Sequence, residues 1–439
     1  MKKKLILIQL NEINFDLVKK YLKIYNFQNL KKIYKNLLIT KSEKKYELLE
    51  PWIQWYSVYT GLKAKKHKVF RLGDVEKFKF NHQQIFEIIE KKGFSVGAIT
   101  PMNAKNNCID PKYFISDPWT KTKNSKNEID QFISKTVSHF VNNNSSSKIK
   151  LKYYLNLIYI FFKFVRIRKY LTFLIIFFQS IKKKWFKSIF LDLLLHEIHL
   201  RFLKSKNPDF SSVFFNAGAH IQHHYFFNSI LFSNQKKNPS WYIKKDQDAL
   251  KDIFKFYDLI LKDYIDLEKK YDLILCTGLT QEPNNKKEYY YRLEDHKKFL
   301  LFLNIKFKSI LPRMSRDFLI EFQNEKNLNK AKIILSQLKI NKKKIFGIIE
   351  RRKNNLFVSL TYDDEIKKDT HINFYGQKMN LYNLFSFVAL KNGKHNSKGF
   401  LYLSNSLNNL IKKKEKQEVT NIFYLIKNYF LNDSLNSKL

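Results

Sequence analysis

The fold of this chain is most readily inferred from residues 212–225, Ser212-Val213-Phe214-Phe215-Asn216-Ala217-Gly218-Ala219-His220-Ile221-Gln222-His223-His224-Tyr225. Its apolar start stops abruptly at Asn216, passes through small residues and continues into three histidines. A short apolar run of this kind is typical of a buried strand in a parallel sheet. Because open α/β sheets bind ligands at the carboxyl ends of their strands, the polar residues after the run mark a candidate site.

The three histidines could share one surface of a helix. His220, His223 and His224 follow the i, i+3, i+4 spacing, so on a helix they would face the same way and could converge on a metal or an anion. The alternative is an ordinary helix start with aromatic packing. Asn216 and Gln222 lie beside the three histidines in the sequence, and these additional polar residues favour a functional role for the cluster.

The same alternation of strand and helix recurs along the chain. We predict strands at residues 5–10, 37–40, 95–100 and 271–278, and helices at residues 15–25, 84–92 and 246–269. Strands that alternate with helices indicate an α/β fold with a doubly wound, mostly parallel sheet. The first strand is followed by Asn11-Glu12, a second polar pair at a strand end.

Charge restricts the classes of partner. The 439 residues include 81 Lys and Arg against 39 Asp and Glu, a formal charge of +42. This excess favours a phosphorylated or nucleotide-linked small molecule, an anionic membrane or nucleic acid. The absence of zinc-finger spacing, of an RNP-like motif and of a recognition helix argues against nucleic acid. With only Cys108 and Cys276, the chain fits a reducing compartment, and we expect a cytoplasmic protein.

Two insertions interrupt the predicted core. Residues 150–206 are rich in Phe, Ile, Leu and Lys, and their apolar runs are too short to span a bilayer. They could form helices that lie on an anionic membrane surface, or helices that pack on the main domain. Within them we interpret 196–199 as helix surface. The expected division is core 1–120, a helical insertion 121–206 with a loose connection at 143–147, core 207–302, a small α+β insertion 303–384, and core 385–439 with a glycine-flanked loop at 393–399.

Glu50-Pro51 is typical of a helix start. The first amides of such a helix are unpaired and could hold an anion. Thr60-Gly61 would end this helix. The alternative is a buried core helix with aromatic side chains and an ordinary proline start, and spacing alone favours this alternative.

Taken in order, these pieces resemble the type I phosphodiesterase and nucleotide pyrophosphatase branch of the alkaline-phosphatase-like superfamily. The resemblance covers residues 1–120, 207–300 and 385–410. Trp55-x-Ser57-x-x-Thr60-Gly61-Leu62, followed by His67, resembles the family's W-x-S-x-x-T-G and the His-Gly after it. Asn216-x-x-x-His220 stands at the place of D-x-x-G-H, and Cys276-Thr277-Gly278-Leu279 at the place of S-D-H-G. Gly393-Lys394-His395 with Gly399 resembles G-x-H-R-x-D-G-I.

The chain departs from that family at its reactive positions. The nucleophilic Thr falls at about Pro51, and the two strand-end Asp ligands are Asn11 and Asn216. The resemblance leaves His220 and His395 as metal ligands. Because a neutral amide binds a divalent metal weakly, we expect no metal or one divalent ion, rather than two zinc ions.

Carboxylates and imidazoles at neighbouring strand ends could carry out acid/base chemistry. The resemblance implies an enzyme, hydrolase or transferase, that acts on a phosphate ester or a nucleotide- or lipid-linked sugar, for which surface polysaccharide metabolism is one setting. The alternative is an inactive ligand-binding or interaction protein on the same scaffold. The candidate catalytic residues are Glu12, Glu50, His220 and His224, and the candidate substrate-binding residues are Asn11, Trp52, Gln54, Trp55, Asn216, Gln222, His223, Thr277 and His296.

Overall fold

The computed structural model of the chain describes residues 3–77, 82–120, 122–142, 150–232, 237–312, 316–374, 376–410 and 417–431. The connection predicted at residues 143–147 lies outside these ranges. The chain forms two compact units, Met1–Pro283 together with Gly393–Leu439, and Asn284–Asn392. The second unit is therefore wider than the insertion predicted at residues 303–384.

Strands and helices alternate through the first unit, and short strands dominate the second. The strands are β1 (Leu5–Leu10), β2 (Leu37–Lys41), β3 (Val96–Ile99), β4 (Tyr113–Ile115), β5 (Phe210–Phe215), β6 (Asp272–Cys276), β7 (Thr280–Leu293), β8 (Ser309–Pro312), β9 (Asp317–Glu321), β10 (Lys339–Ile340), β11 (Lys343–Lys344), β12 (Phe346–Arg352), β13 (Asn355–Leu360), β14 (His371–Phe374), β15 (Gln377–Asn380), β16 (Phe385–Asn396), β17 (Lys398–Leu403) and β18 (Gln417–Glu418). The helices are α1 (Phe15–Tyr21), α2 (Gln28–Lys35), α3 (Pro51–Thr60), α4 (Ala64–His67), α5 (Asp74–Lys77), α6 (Ile85–Lys91), α7 (Glu128–Asn142), α8 (Leu151–Phe164), α9 (Tyr170–Lys182), α10 (Phe186–Lys206), α11 (Ala217–Tyr225), α12 (Ala249–Asp266), α13 (His296–Phe302), α14 (Glu325–Gln337) and α15 (Asn421–Leu431).

An eight-stranded sheet organises the first unit, in the order β18-β2-β17-β6-β1-β5-β3-β4. Strands β6, β1, β5, β3 and β4 are parallel, whereas β17 runs antiparallel to both β2 and β6. The predicted α/β, mostly parallel sheet is confirmed. All six residues of β1 are buried, which explains why its sequence is apolar without a break.

Helices cover both surfaces of this sheet. Ile6, Ile8 and Leu10 of β1 point into a core that α1, α10 and α12 complete. Leu5 and Leu7 point into the opposite core, which α3, α6 and α15 complete. Because successive side chains of a strand alternate between surfaces, β1 contributes to both cores, and the sheet is doubly wound.

The glycine-flanked loop predicted at residues 393–399 is wrong. Residues 385–396 form β16, which pairs with β7, and β17 starts at Lys398 after a single intervening residue. The main sheet therefore resumes at β17 and not at Phe385. Lys, Asn and Gly are poor strand formers, so the local sequence suggested a loop where tertiary pairing imposes a strand.

The predicted helical segment 150–206 forms α8, α9 and α10. Within it, His196, Glu197 and His199 are buried, so the interpretation of residues 196–199 as helix surface is wrong. Glu197 and Asp263 form ion pairs with Arg166 at 2.5 and 2.7 Å, and Asp263 also lies 3.0 Å from Nε2 of His196. None of the described helices combines the length and the apolar character that crossing a membrane requires.

Asp192 of α10 fixes the start of α11. Its Oδ2 accepts hydrogen bonds from the amide of Ala217 at 2.8 Å and the hydroxyl of Tyr257 at 2.9 Å, and its Oδ1 accepts one from the amide of Asn216 at 3.1 Å. A carboxylate at the amino end of a helix pairs amides that the helix itself leaves unpaired. Burial raises the pKa of Asp192 to about 7, although these three hydrogen bonds act to lower it.

We predict a pH-dependent stability difference between the wild type and Asp192→Asn. Because the pKa is raised in the folded state, folding favours the protonated carboxyl. This contribution is complete below the unfolded-state pKa of about 4 and is lost as the pH rises towards about 7. The wild type should therefore lose up to about 1.4 kcal/mol per pH unit relative to the variant over this interval, measured by urea unfolding. A difference that does not change with pH would contradict the assignment.

Gly218 allows α11 to approach the loop after β1. A Cβ at this position would lie 2.3 Å from Cδ1 of Ile13 and 3.0 Å from Cε2 of Tyr257. We predict that Gly218→Ala destabilises the fold by about 1–3 kcal/mol through overpacking. Ile13→Val removes the clashing methyl group, so the double variant should lose less free energy of unfolding than the sum of the single variants. Strictly additive losses would show that the contact does not limit the approach.

Candidate functional site

Polar residues meet where three parallel strands end. Asn11 follows β1, Asn216 follows β5 and Thr277 follows β6. The backbone amide of Asn11 donates to the carbonyl of Phe215 at 3.0 Å, and the backbone amide of Glu12 donates to the carbonyl of Thr277 at 3.1 Å. Backbone pairing therefore continues past the strand ends and holds the three segments side by side.

The backbone of Glu12 is in the left-handed region, with φ 59°. Residues with a Cβ rarely adopt this conformation, and the surrounding structure must stabilise it. The Gln222 side chain does so, because its Nε2 donates to the Glu12 carbonyl at 2.7 Å and its Oε1 accepts from the Asn14 amide at 3.1 Å. The fully buried Gln222 thus braces this loop, and the substrate contact predicted for it stays a prediction.

Three side chains converge in what we call the Glu12–His223–His395 cluster. Oε2 of Glu12 lies 3.1 Å from Nε2 of His223 and 3.2 Å from Nε2 of His395, and these two nitrogens are 3.3 Å apart. The Glu12 side chain is 2% exposed, His223 is 25% exposed and His395 is 14% exposed. The carboxylate is therefore buried, while both imidazoles reach towards solvent.

The charge of Glu12 is compensated from several sides. Nε2 of Gln281 donates to the same carboxylate oxygen and to the Ala219 carbonyl at 3.0 Å. Nδ2 of Asn11 donates to Oε1 of Glu12 at 3.2 Å. Burial alone would raise the pKa of Glu12, but the charges and hydrogen bonds of His395 and His223 hold it well below its usual range. Glu12 is consequently an ionised carboxylate at neutral pH.

Glu50 adds a second carboxylate to this group. It is the N-cap of α3, and Pro51 is the first residue of that helix, as the sequence predicts. Oε2 of Glu50 lies 3.7 Å from Nδ1 of His395. His395 therefore has one carboxylate near each ring nitrogen, with Glu12 on Nε2 and Glu50 on Nδ1.

The other two histidines of α11 pair with each other. The rings of His220 and His224 are 4.8 Å apart, edge to face. Burial and the nearby His223 lower the pKa of His220 to about 4, so this ring is neutral at neutral pH. Among the described residues, the grouped donor atoms beside His395 belong to Glu12 and His223. The predicted metal ligand His220 is not part of this group, and the assignment of His220 and His395 as metal ligands stays a prediction.

Asn11 and Asn216 stand where the resembling family has acidic ligands. Nδ2 of Asn11 donates to Oδ1 of Asn216 at 2.8 Å, and Oδ1 of Asn11 accepts from the Trp55 indole at 2.7 Å. The hydrogen bond between the two amides therefore links the end of β1 to the end of β5.

Several other predicted substrate-binding residues are buried. Gln54, Trp55 and Thr277 are fully buried. Nε2 of Gln54 donates to the Leu48 carbonyl at 2.7 Å, and the Thr277 hydroxyl accepts from the Phe400 amide at 2.9 Å. Each side chain is thus engaged in a hydrogen bond within the protein, and its contact with substrate stays a prediction.

Two further candidates have other contacts. The indole of Trp52 donates to the Phe70 carbonyl at 3.1 Å. His296 belongs to the second unit, where it begins α13 and its ring lies 4.9 Å from that of Phe318. Its pKa is lowered to about 4 by burial and by the charge of Arg292.

Sequence analysis missed Gln281 and the role of Gly393. A Cβ at Gly393 would lie 2.2 Å from Oε1 of Gln281 and 2.8 Å from the Gln222 carbonyl. Only glycine therefore allows β16 to bring His395 this close to α11. The signal in the sequence was the turn at Gly278, which has φ 70° and places Gln281 just beyond the end of β6.

No protein-family model matches the sequence, and no curated protein matches it. Among solved structures, the chain is similar to phosphonoacetate hydrolase from Sinorhizobium meliloti 1021 in complex with phosphonoformate, with TM-score 0.42, 9% identity, and 98% of this chain and 96% of that chain covered. It is similar to human ectonucleotide pyrophosphatase/phosphodiesterase 5, with TM-score 0.45, 10% identity and coverage of 98% and 95%. It is also similar to alkaline phosphatase from the Antarctic bacterium TAB5, with TM-score 0.40, 10% identity and coverage of 98% of each chain. At identities of 9–10%, these likenesses assign no role to any residue of this chain.

Proposed function

We propose that this chain is an enzyme that acts on phosphate esters and that the Glu12–His223–His395 cluster is its catalytic centre. One observation carries the proposal: a buried, ionised carboxylate contacts Nε2 of two imidazoles at the carboxyl edge of a parallel sheet. This edge is where open α/β sheets bind their ligands. Burying a charged carboxylate carries a large desolvation free energy, so a cluster of this kind contributes little net stability to a fold.

The cluster can move a proton in either direction. The Glu12 carboxylate stabilises the protonated form of either ring. A protonated His223 or His395 can balance the charge of a phosphoryl group or protonate a leaving oxygen, and the neutral ring can accept a proton from an attacking hydroxyl. Glu50 lies near the other nitrogen of His395 and would orient that ring.

The proposed substrate is an anionic phosphate ester, with nucleotide- or lipid-linked sugars as the favoured class. The formal charge of +42 would attract such a substrate at a distance. Water as the acceptor would make the reaction a hydrolysis, and a sugar hydroxyl as the acceptor would make it a transfer.

The cluster also fits one divalent metal ion. A tetrahedral site with bonds of about 2.0 Å has ligand atoms about 3.3 Å apart. The donor atoms here are separated by 3.1, 3.2 and 3.3 Å. Two histidines and one glutamate, with one position left open, form a donor set that catalytic zinc sites use. When bound, such an ion polarises a phosphoryl oxygen and lowers the pKa of a bound water.

A ligand-binding protein without turnover is the second candidate. Pro51 stands where the resembling family has its nucleophile, and the amides of Asn11 and Asn216 are paired with each other. These observations remove the family's own mechanism. They leave the Glu12–His223–His395 cluster intact, so the two candidates differ in whether that cluster turns substrate over.

We predict that Glu12→Gln, His223→Ala and His395→Ala each lower turnover by about 100-fold or more, the usual scale for loss of an acid/base group. The substrates would be bis(4-nitrophenyl) phosphate and 4-nitrophenyl phosphate, assayed with EDTA or with added Zn²⁺, Mn²⁺ or Mg²⁺. His371→Ala and Glu325→Gln, both in the second unit, are the matched controls and should retain wild-type rates. Equal rates in the cluster variants and the controls would exclude this catalytic centre. A wild type inactive in every condition would favour the ligand-binding candidate.

We also predict which histidine binds metal. In isothermal titration with Zn²⁺ and with Mn²⁺, the wild type should bind one ion, and His223→Ala or His395→Ala should weaken binding by at least about 10- to 100-fold. His220→Ala should bind like the wild type, because its ring lies against His224 and outside the grouped donor atoms. Loss of binding in His220→Ala, with binding retained in His223→Ala, would restore the assignment made from the sequence.

A further inference from the structure

Helices α8 and α9 expose an unusual amount of apolar surface. Of the 26 exposed large apolar side chains in the described residues, 13 lie between Leu151 and Ile181. Phe162 is 64% exposed, Leu171 is 68% exposed and Ile181 is 69% exposed. Contiguous apolar surface of this kind usually marks an interaction site, because scattered single residues are the norm elsewhere.

The exposed residues follow helical spacing. On α8, Leu151, Leu155, Ile158 and Phe162 recur at intervals of four, three and four residues, which places them on one side of the helix. Ile160 of the same helix is buried against the core. The helix is therefore apolar on both sides, and only one side is covered by this unit.

Helix α9 repeats this arrangement. Phe173 and Ile176 are buried, whereas Leu171, Leu174 and Phe178 are exposed. A helix with apolar side chains on all sides is typically covered on all sides. Here the protein covers one side of each helix, so a second apolar partner is expected on the other side. With 14 and 13 residues, α8 and α9 are too short to cross a bilayer, so a lipid contact would lie in the plane of its surface.

Charge selects the occupant of this surface. Between residues 150 and 191 there are ten Lys and Arg residues and no Asp or Glu. The basic residues flank the two helices, at Lys150 and Lys152, at Lys163, Arg166, Arg168 and Lys169, and at Lys182, Lys183, Lys184 and Lys187. A second copy of the chain would bring two such positive surfaces together, which like charges oppose. An anionic lipid surface offers both the apolar interior and the opposite charge.

We propose that α8 and α9 dock this protein on an anionic membrane surface. The exposed apolar side chains enter the boundary between head groups and acyl chains. The flanking basic residues contact the head groups, except Arg166, whose guanidinium is held by Glu197 and Asp263. Long Lys and Arg side chains can reach the head groups while their stems stay in apolar surroundings.

The docking helices connect directly to the edge of the sheet that carries the site. Helix α9 ends at Lys182, α10 begins at Phe186, and Asp192 in the second turn of α10 binds the amides that follow β5. The basic segment between α9 and α10 is therefore only about two helical turns from the carboxyl edge of the sheet. A docked protein would hold its site near the lipid head groups, which suits a lipid-linked substrate of the proposed enzyme.

Vesicle sedimentation tests the docking without any assay of turnover. Vesicles of phosphatidylglycerol and phosphatidylcholine should pellet the wild type at low salt, with less protein bound at high salt and little bound to pure phosphatidylcholine. The variant Leu155→Ser, Phe162→Ser, Leu174→Ser, Phe178→Ser should bind at least about ten-fold more weakly, because it loses four large apolar contacts. The matched control is Leu301→Ser, Ile333→Ser, whose exposed side chains lie in the second unit, and it should bind like the wild type.

A second variant separates charge from apolar contact. Lys163→Gln, Lys169→Gln, Lys184→Gln should weaken binding at low salt and reduce its salt dependence. Absence of wild-type binding to the anionic vesicles would overturn the proposal, and so would unchanged binding of the four-Ser variant. Sedimentation velocity without lipid adds a further test. A wild-type dimer that the four-Ser variant converts to a monomer, with no vesicle binding, would show that a second copy covers this surface.

Discussion

The burial of the Glu12 carboxylate constrains the rest of the first unit. An ion removed from water destabilises a fold by several kcal/mol unless opposite charges and hydrogen bonds compensate it. Here His223 comes from α11, His395 from β16, and Gln281 from the start of β7. The compensation therefore requires segments from three distant parts of the chain to meet, and the sheet register sets where they meet.

Small residues make this meeting possible. Gly218 lets α11 lie against Ile13, and Gly393 lets β16 pass the backbone of Gln222. Asp192 and Gln222 then fix the helix and the loop through hydrogen bonds to backbone amides and carbonyls. The polar residues singled out in the sequence thus fall into two groups. Some form hydrogen bonds that hold the segments together, and Glu12, His223 and His395 meet in the cluster.

The sheet could be predicted from the sequence because buried parallel strands read as apolar runs, and residues 5–10 match β1 to the residue. The candidate site was only partly predictable. Spacing places His220, His223 and His224 together, but only the packing of α11 decides which of them points at Glu12. Glu12 was named and Gln281 was not, because the turn at Gly278 marks only the position of Gln281 in the chain. Nothing local shows that the Gln281 side chain reaches the Glu12 carboxylate. The sequence of residues 150–206 allowed helices on a membrane surface or helices packed on the main domain. In the structure, one side of α8 and α9 packs on the core and the other side is exposed.

The proposed cluster depends on the ionisation of Glu12, which can be measured. Carbon-13 NMR of the Glu12 carboxyl, assigned by comparison with Glu12→Gln, would follow its titration in the metal-free protein. The account predicts that Glu12 stays ionised well below the ordinary glutamate pKa of about 4.3, because His395 and His223 outweigh the effect of burial. In the His223→Ala, His395→Ala double variant burial acts without them, and the pKa should rise above that ordinary value. A wild-type Glu12 that titrates at or above about 4.3 would contradict the account.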